Sequence, residues 1–218
     1  MTAAVETRPS PLDVYGVALR RAAIGLPAGL EARDEAGRAR RFDVGRWCGE
    51  PVAGDGGLVR RCTAATLDVG CGAGRLTAAV AASGVPALGV DISPDAVRIA
   101  RDRGVPALRR DVFGPVPAPG RWQRLILADG NIGIGGDPVR LLGRCRELLA
   151  PVGRVLVEVD QPGSGSWRGR LRLRGSSHAF AWAYVDADDL AALATAAALR
   201  VCTQWTEAGR WFVCLAPA

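Results

Sequence analysis

Ala65-Thr66-Leu67-Asp68-Val69-Gly70-Cys71-Gly72-Ala73-Gly74 is the stretch on which the fold turns. A short apolar run ends in a glycine-rich turn and leads into a helix-forming segment, Arg75 to Ala82. Such a turn lets a ligand approach backbone N–H groups without side chains in the way. Asp91, 23 residues after Asp68, closes a second apolar run, Val85 to Val90. An acid at the end of the next strand is placed to accept hydrogen bonds from a ribose diol. Together these features predict a nucleoside-bearing cofactor at the carboxyl edge of a parallel sheet.

The glycine spacing separates two kinds of cofactor. A dinucleotide fingerprint requires G-x-G-x-x-G, whereas Gly70, Gly72 and Gly74 are spaced G-x-G-x-G. Asp68, two residues before the first glycine, would repel a pyrophosphate but suits a cofactor carrying an ammonium group. The segment Leu67 to Gly74 resembles the first motif of the class I S-adenosylmethionine-dependent methyltransferases, and Gly89-Val90-Asp91-Ile92-Ser93 is similar to that family's second acidic strand end. The resemblance extends over roughly Ala64 to Asp160. It implies a doubly wound, mostly parallel seven-stranded sheet of Rossmann-like α/β type with S-adenosyl-L-methionine as cofactor. On that resemblance, Asp68 and the backbone of Gly70, Cys71 and Gly72 hold the methionine end, with Gly74 opening the helix. Asp91 takes the ribose hydroxyls and Ile92 lies against the adenine. Asp111-Val112 follows a third short apolar stretch, Val105 to Leu108, and in this family an acid so placed reaches the adenine amino group. An Asp at a strand end is also a common turn former.

The 218 residues are enough for one sizeable core and an appendage. No apolar stretch approaches the ~20 residues of a membrane span, and the first ten residues lack the apolar core of a signal peptide. Six cysteines without a C-x-x-C pair, and the single histidine His178, give no metal-ligand spacing, so no metal is expected. Reduced cytoplasmic thiols are the plain expectation. All 28 basic residues are arginine, and the formal net charge is +6. An arginine bias beside so much alanine and glycine matches a GC-rich bacterial genome; it leaves an anionic partner undecided.

Along the chain, residues 1–11 are polar and expected to be mobile, and Asp13 to Ile24 is predicted as an amphipathic helix. Residues 28–42 are highly charged, and Gly54 to Gly57 reads as a linker. Residues 1–60 are expected to form a cap or lid, having too few apolar residues for a core of their own, and 61–218 the catalytic core. In the core, strands are expected near 86–90, 105–108, 124–128 and 154–159, with helices near 74–83, after Ser93-Pro94 and at 138–150. Asp186 is expected to cap a helix from Ala187 to Leu199, before a terminal hairpin of 201–205 and 210–215. Between the fifth strand and that helix, Trp167 to Arg174 alternates arginines with Gly169, Leu171 and Leu173. After Gly175-Ser176-Ser177, the run His178 to Val185 alternates aromatics with alanines. This period of two predicts an inserted hairpin near 163–185.

Fold rules place the acceptor at the carboxyl end of the fourth strand, where the chain reads Ala128-Asp129-Gly130-Asn131-Ile132-Gly133-Ile134-Gly135-Gly136. The Asp/Asn-Pro-Pro-aromatic signature of enzymes that methylate base or amide nitrogens is absent there. Asp129 is a candidate for cofactor contact and for general base, with Glu158 and Asp160 as alternatives. Asn131, Phe180, Trp182 and Tyr184 are candidates for the acceptor pocket, and Tyr15, with Trp47, for a lid over it. The same aromatics could instead pack on the sheet or on a second copy of the chain, as a homodimer. His178 is the other candidate base, and a loop histidine is its plain alternative. The expected activity is methyl transfer to the O, N or C of a small-molecule acceptor. An RNA acceptor, or a non-catalytic cofactor-binding protein acting through a partner, are the rival readings. Nucleic acid is not the expected partner, since arginines without a recognition module are a weak signal.

Overall fold

A computed structural model describes residues 8–218, so the first seven residues of the segment expected to be mobile lie outside the described residues. In chain order the elements are α1 (Pro11–Ala23), β1 (Gly29–Arg33), β2 (Ala39–Asp43), α2 (Gly45–Cys48), α3 (Asp55–Arg61), β3 (Thr66–Val69), α4 (Arg75–Ala82), β4 (Ala87–Asp91), α5 (Pro94–Asp102) and β5 (Ala107–Arg109). There follow β6 (Trp122–Leu127), a 3-10 helix (Asn131–Gly136), α6 (Pro138–Leu148), β7 (Leu149–Val159), β8 (Trp167–Leu173), β9 (Phe180–Tyr184), α7 (Leu190–Ala196), β10 (Leu199–Glu207) and β11 (Arg210–Pro217).

Seven strands form the main sheet in the order β10-β11-β7-β6-β3-β4-β5. The five from β3 to β7 run parallel, and β11 alone is reversed, pairing antiparallel with β7 on one side and β10 on the other. The chain builds outward from β3 to β4 and β5, then returns to place β6 on β3's other side. The switch point where ligands bind in open α/β sheets therefore lies between the carboxyl ends of β3 and β6. Both faces of the sheet are covered, which is why β3 is buried at every position and β6 is apolar and buried from Leu125 to Leu127. Leu125 and Leu127 face Leu141, Leu142 and Leu148 of α6, while Ile126 and Ala128 join Leu58, Leu76 and Val80 on the side of α3 and α4.

Local chemistry fixes the helix starts. Ser10 and Asp13 form a reciprocal capping box at α1, with Asp13 N–H donating to Ser10 Oγ at 3.2 Å and Ser10 N–H to Asp13 Oδ2 at 2.8 Å. This starts the helix at Pro11, two residues before the predicted Asp13. Ser93 and Asp137 cap α5 and α6 ahead of prolines. Asp186 does not begin a helix. Its carboxylate accepts the N–H groups of Asp188 and Gly165, both at 2.8 Å, and the Ser164 hydroxyl at 3.3 Å. The helix is then only α7, ended by Ala198 at φ +54°, and β10 starts at Leu199. Ala208 and Gly209, at φ +52° and +75°, make the tight β10–β11 turn that a two-residue hairpin loop requires.

The charged stretch 28–42 holds two strands for which no secondary structure was predicted. β1 and β2 pair with each other, and β1 pairs with β8 about 140 residues later, giving a second sheet β2-β1-β8-β9. Its inner face carries Leu30, Ala32, Phe42, Leu171, Leu173 and Tyr184, which share one cluster with Ala18 and Leu19 of α1 and Ala96 and Ile99 of α5. Arginines alternate on the outer face.

Candidate cofactor and acceptor site

The glycine turn stands at the switch point. Gly70, Gly72 and Gly74 have φ of +73°, +55° and +85°, a region closed to most side chains. The N–H groups of Gly70 and Cys71 donate to Val90 O at 2.8 and 3.1 Å, and that of Gly72 donates to Asp91 Oδ2 at 3.0 Å. These donors, expected to face the ligand, are engaged by β4 and fix the turn against it. The Cys71 side chain is buried over Gly89, where a Cβ would collide with its sulfur. What the turn offers a ligand is close approach and the remaining lone pairs of two carboxylates.

Asp68 is buried on β3 and accepts the Thr77 hydroxyl at 2.7 Å. Burial pushes its carboxyl up to about 7, against the Thr77 hydrogen bond and with help from the negative charges of Asp129 and Asp91. Burial also raises the Asp91 carboxyl, opposed by the N–H groups of Ser93 (2.7 Å to Oδ1) and Gly72. Two buried carboxylates short of donors suit a ligand that brings an ammonium and a diol. Beside them Ile92 is 50% exposed, an apolar side chain left uncovered at the end of β4. The donor set therefore fits S-adenosylmethionine: Asp68 for the ammonium, Asp91 for the ribose, Ile92 for the base. Asp111 is exposed beyond β5, its Oδ1 accepting the Phe113 N–H at 2.9 Å in a local turn. Val112 is buried in the main core.

Asp129 and Asn131 stand across the switch point from the turn. Asn131 Nδ2 donates to Val69 O and Gly70 O, each at 2.9 Å, which clamps the 3-10 helix to the glycine turn. Asp129 has φ +54° and pairs with Arg75. Tyr15 reaches the same place from α1: its hydroxyl lies 3.3 Å from where a Gly72 Cβ would stand. Burial raises the Tyr15 phenol well above its ordinary range, with Asp91, Cys71 and Asp129 adding to it. Trp47 stands edge-on to Tyr15 at 6.1 Å between ring centres.

β9 meets the 3-10 helix at Gly133 and Gly136, where a Cβ would strike Trp182 or the β9 backbone. Phe180 and Trp182 are half-buried, and Tyr184 is buried beneath the Arg40 guanidinium, 3.5 Å from its ring centre. Tyr184 borders a cavity of about 50 Å³ together with Gly130, Ile132, Glu158, Asp160 and Ala183, and its hydroxyl is buried with no hydrogen-bond partner among the described residues. A groove of about 540 Å³ runs along α6 and the end of α7, formed by other residues. His178 is exposed in the β8–β9 turn, its Nδ1 2.9 Å from Ser177 Oγ. Among the described residues no cluster of metal-ligating side chains occurs, and no helix is long and apolar enough to cross a membrane.

Sequence reasoning missed Arg75 and Arg210, which bind Asp129 and Glu158, and Asp55, which pairs with both arginines. One signal was available: Arg75 is the lone charge on an otherwise apolar helix, Arg75 to Ala82.

A strand-order reversal with a glycine turn and two acids at it defines a nucleoside-cofactor domain. Residues 66–153 match the family model described as "Methyltransferase domain". The chain has the fold of a SAM-dependent methyltransferase from Bacteroides fragilis solved with S-adenosyl-L-homocysteine, at a TM-score of 0.80 and 20% identity over 98% of each chain. It also resembles the 1,6-didemethyltoxoflavin-N1-methyltransferase of Burkholderia thailandensis, at a TM-score of 0.54 and 20% identity over 74% of each. A curated relative, the ubiquinone biosynthesis O-methyltransferase of Xylella fastidiosa (strain 9a5c), is 30% identical over 103 residues, 43% of this chain and 41% of that protein. The match thus spans well under half of that relative's length. Over residues 66–153, under half of the chain, the sequence is thus similar to a methyltransferase domain, and the chain shares the fold of S-adenosylmethionine-dependent methyltransferases.

Proposed function

We propose that this protein transfers the methyl group of S-adenosylmethionine to an oxygen, nitrogen or carbon of a small molecule held at the switch point, beside the 3-10 helix and the aromatic face of the second sheet. The observation that carries the reading is the pair of buried carboxylates, Asp68 and Asp91, on either side of a turn locked in left-handed backbone. When bound, the cofactor supplies an electrophilic methyl on a positively charged sulfur. Asp68 and Asp91 hold its two ends, and Tyr15 closes over the turn. Much of the rate enhancement then comes from aligning the acceptor with that methyl. Phe180, Trp182 and Tyr184 form the acceptor wall, and Asp129 is the nearest candidate base. His178, on its exposed turn, is the weaker candidate.

The part of residues 1–60 that precedes α3 acts with the insertion near 163–185 as the lid, while α3 packs on the main sheet with the core of 61–218. Six free thiols suit a reducing cytoplasm. Isothermal titration with S-adenosylmethionine tests the reading. Asp91→Ala removes the acceptor for the Gly72 and Ser93 N–H groups as well as the ribose contact, and should weaken binding by roughly tenfold or more, at about 1.5–3 kcal/mol per charge-assisted bond. Absent binding in the wild type, or unchanged affinity in the variant, overturns it.

An RNA acceptor has one observation in its favour: Arg33, Arg41, Arg168, Arg170, Arg172 and Arg174 are exposed on one face of the second sheet. That face is opposite the aromatic one, which weighs for the small molecule.

A further inference from the structure

Five ionisable side chains, four from separate elements and one from the loop after β6, meet behind the switch point. Arg75, 3% exposed at the start of α4, pairs through Nη1 with Asp55 of α3 and through Nη2 with Asp129. Arg210 of β11 holds Glu158 by two bonds of 2.8 Å and Asp55 by one of 2.7 Å, and reaches Asp129 at 3.5 Å. Glu158 in turn accepts the Asp129 N–H at 2.7 Å. Asp129 is thus gripped by side chain and backbone in a left-handed conformation that costs a non-glycine residue about 1 kcal/mol or more. Gly130 follows at φ +85°.

Three carboxylates face two guanidiniums, so one negative charge is left over. Asp55 is sealed, 1% exposed, and Glu158 is bound twice by Arg210. Asp129 is the most open of the three, with 27% of its side chain exposed. It follows the carboxyl end of β6, two residues before Asn131, whose amide holds Val69 O and Gly70 O of the glycine turn, and this places it at the cofactor edge. The surplus charge therefore lies beside the cleft at the switch point.

We propose that Arg75, Arg210 and Glu158 are positioning residues that hold the Asp129 carboxylate toward the cofactor's sulfur, where it selects the positively charged methyl donor over its neutral-sulfur product. This rests on the cofactor reading above and adds a discrimination to it. The two ligands differ at the sulfur by one methyl and one positive charge, so a carboxylate beside it separates them and a neutral amide does not. Unscreened, a charge about 5 Å from Asp129 at an effective dielectric near 20 would be favoured on the order of a hundredfold in affinity. Screening by the neighbouring arginines reduces this, leaving an expected selectivity on the order of tenfold.

Titration of S-adenosylmethionine and S-adenosylhomocysteine into wild type, Asp129→Asn and Arg75→Lys tests this, with thermal melts to confirm folding. The wild type should prefer the methylated form by roughly tenfold. Asp129→Asn should bring the ratio of the two dissociation constants near one, chiefly by weakening the charged ligand. Arg75→Lys, which keeps the charge but cannot bridge two carboxylates in a fork, should shift the same ratio part of the way. An equal ratio in wild type and Asp129→Asn, with both ligands still binding, overturns the proposal while leaving the cofactor reading intact. Failure of both ligands to bind wild type overturns the cofactor reading itself. If Arg75→Lys does not fold, the Asp129→Asn ratio decides alone.

Discussion

Replacing Asp68 by asparagine should remove a pH dependence from cofactor binding and, at the same time, stabilise the free protein. With its carboxyl at about 7, Asp68 is roughly one-tenth ionised at pH 6 and nine-tenths ionised at pH 8. An ammonium docking against it requires the ionised form and lowers its pKa, so binding expels a proton in this range. Wild-type affinity for S-adenosylhomocysteine should therefore rise roughly tenfold from pH 6 to pH 8 and level off above it. In Asp68→Asn the affinity should be lower and nearly flat, and the variant also controls for ionisation of the ligand. The stability effect has the opposite sense. A carboxyl whose pKa is higher in the fold than in the unfolded chain stabilises the fold while protonated, and that contribution is lost as pH rises from about 4 through 7. Three pH units at 1.4 kcal/mol each put the upper bound near 4 kcal/mol. Calorimetric titration and melting curves at pH 5, 6, 7 and 8 read both effects. Parallel pH slopes in wild type and variant, with no melting gap opening toward pH 8, would refute the reasoning.

Two further outcomes follow from the geometry. Gly133→Ala places a Cβ against the Ala183 carbonyl and the Trp182 indole; a backbone atom cannot yield as a side-chain tip can, so this should cost roughly 1–3 kcal/mol, read as a lower denaturant midpoint. Titration with a single-stranded RNA at rising salt separates the two acceptor readings. An RNA enzyme should lose affinity steeply with salt and lose it again when Arg168, Arg170 and Arg172 become alanine, whereas the small-molecule reading expects only weak, general attraction.

Much of this was legible because the decisive signals were local. Asp68, the three glycines and Asp91 declare a turn and two strand ends within 27 residues, and Ser93-Pro94 and Pro138 mark helix starts by their own chemistry. The second sheet was not legible, since β1 and β2 are stabilised by β8 far along the chain. Their inward residues were nevertheless written in alternation, Leu30 and Ala32 against Glu31 and Arg33, under a charge density that masked the period. Asp186 misled for a related reason. A capping residue before an alanine-rich run predicts a helix, but here the Gly165 and Ser164 donors compete for the same carboxylate. The buried charge cluster was hidden because Asp55, Arg75, Asp129, Glu158 and Arg210 are brought together only by the sheet order.

The second sheet also constrains how the site can open. Tyr15, over the glycine turn, rides on α1, and α1 shares one apolar cluster with the inner face that carries Phe180, Trp182 and Tyr184. α1 is fastened to α5 as well, by the Arg20–Asp95 pair and by Gly16, where any side chain would strike Asp95. The sheet is tied to β7 by Arg40 and Asp160 at 3.4 Å. Shifting α1 alone would expose its whole contact with the sheet to water at about 25 cal/mol per Å², whereas moving α1 and the sheet as one body keeps that contact and parts the cluster only on its Ala96 and Ile99 side, along with ion pairs worth about 1 kcal/mol or less each and the contacts at Gly16, Gly133 and Gly136. The cheaper motion lifts the cofactor's lid and the acceptor's wall together. On that account entry of cofactor and entry of acceptor are coupled, and the donor methyl is never left facing water by a lid that opens for the acceptor alone.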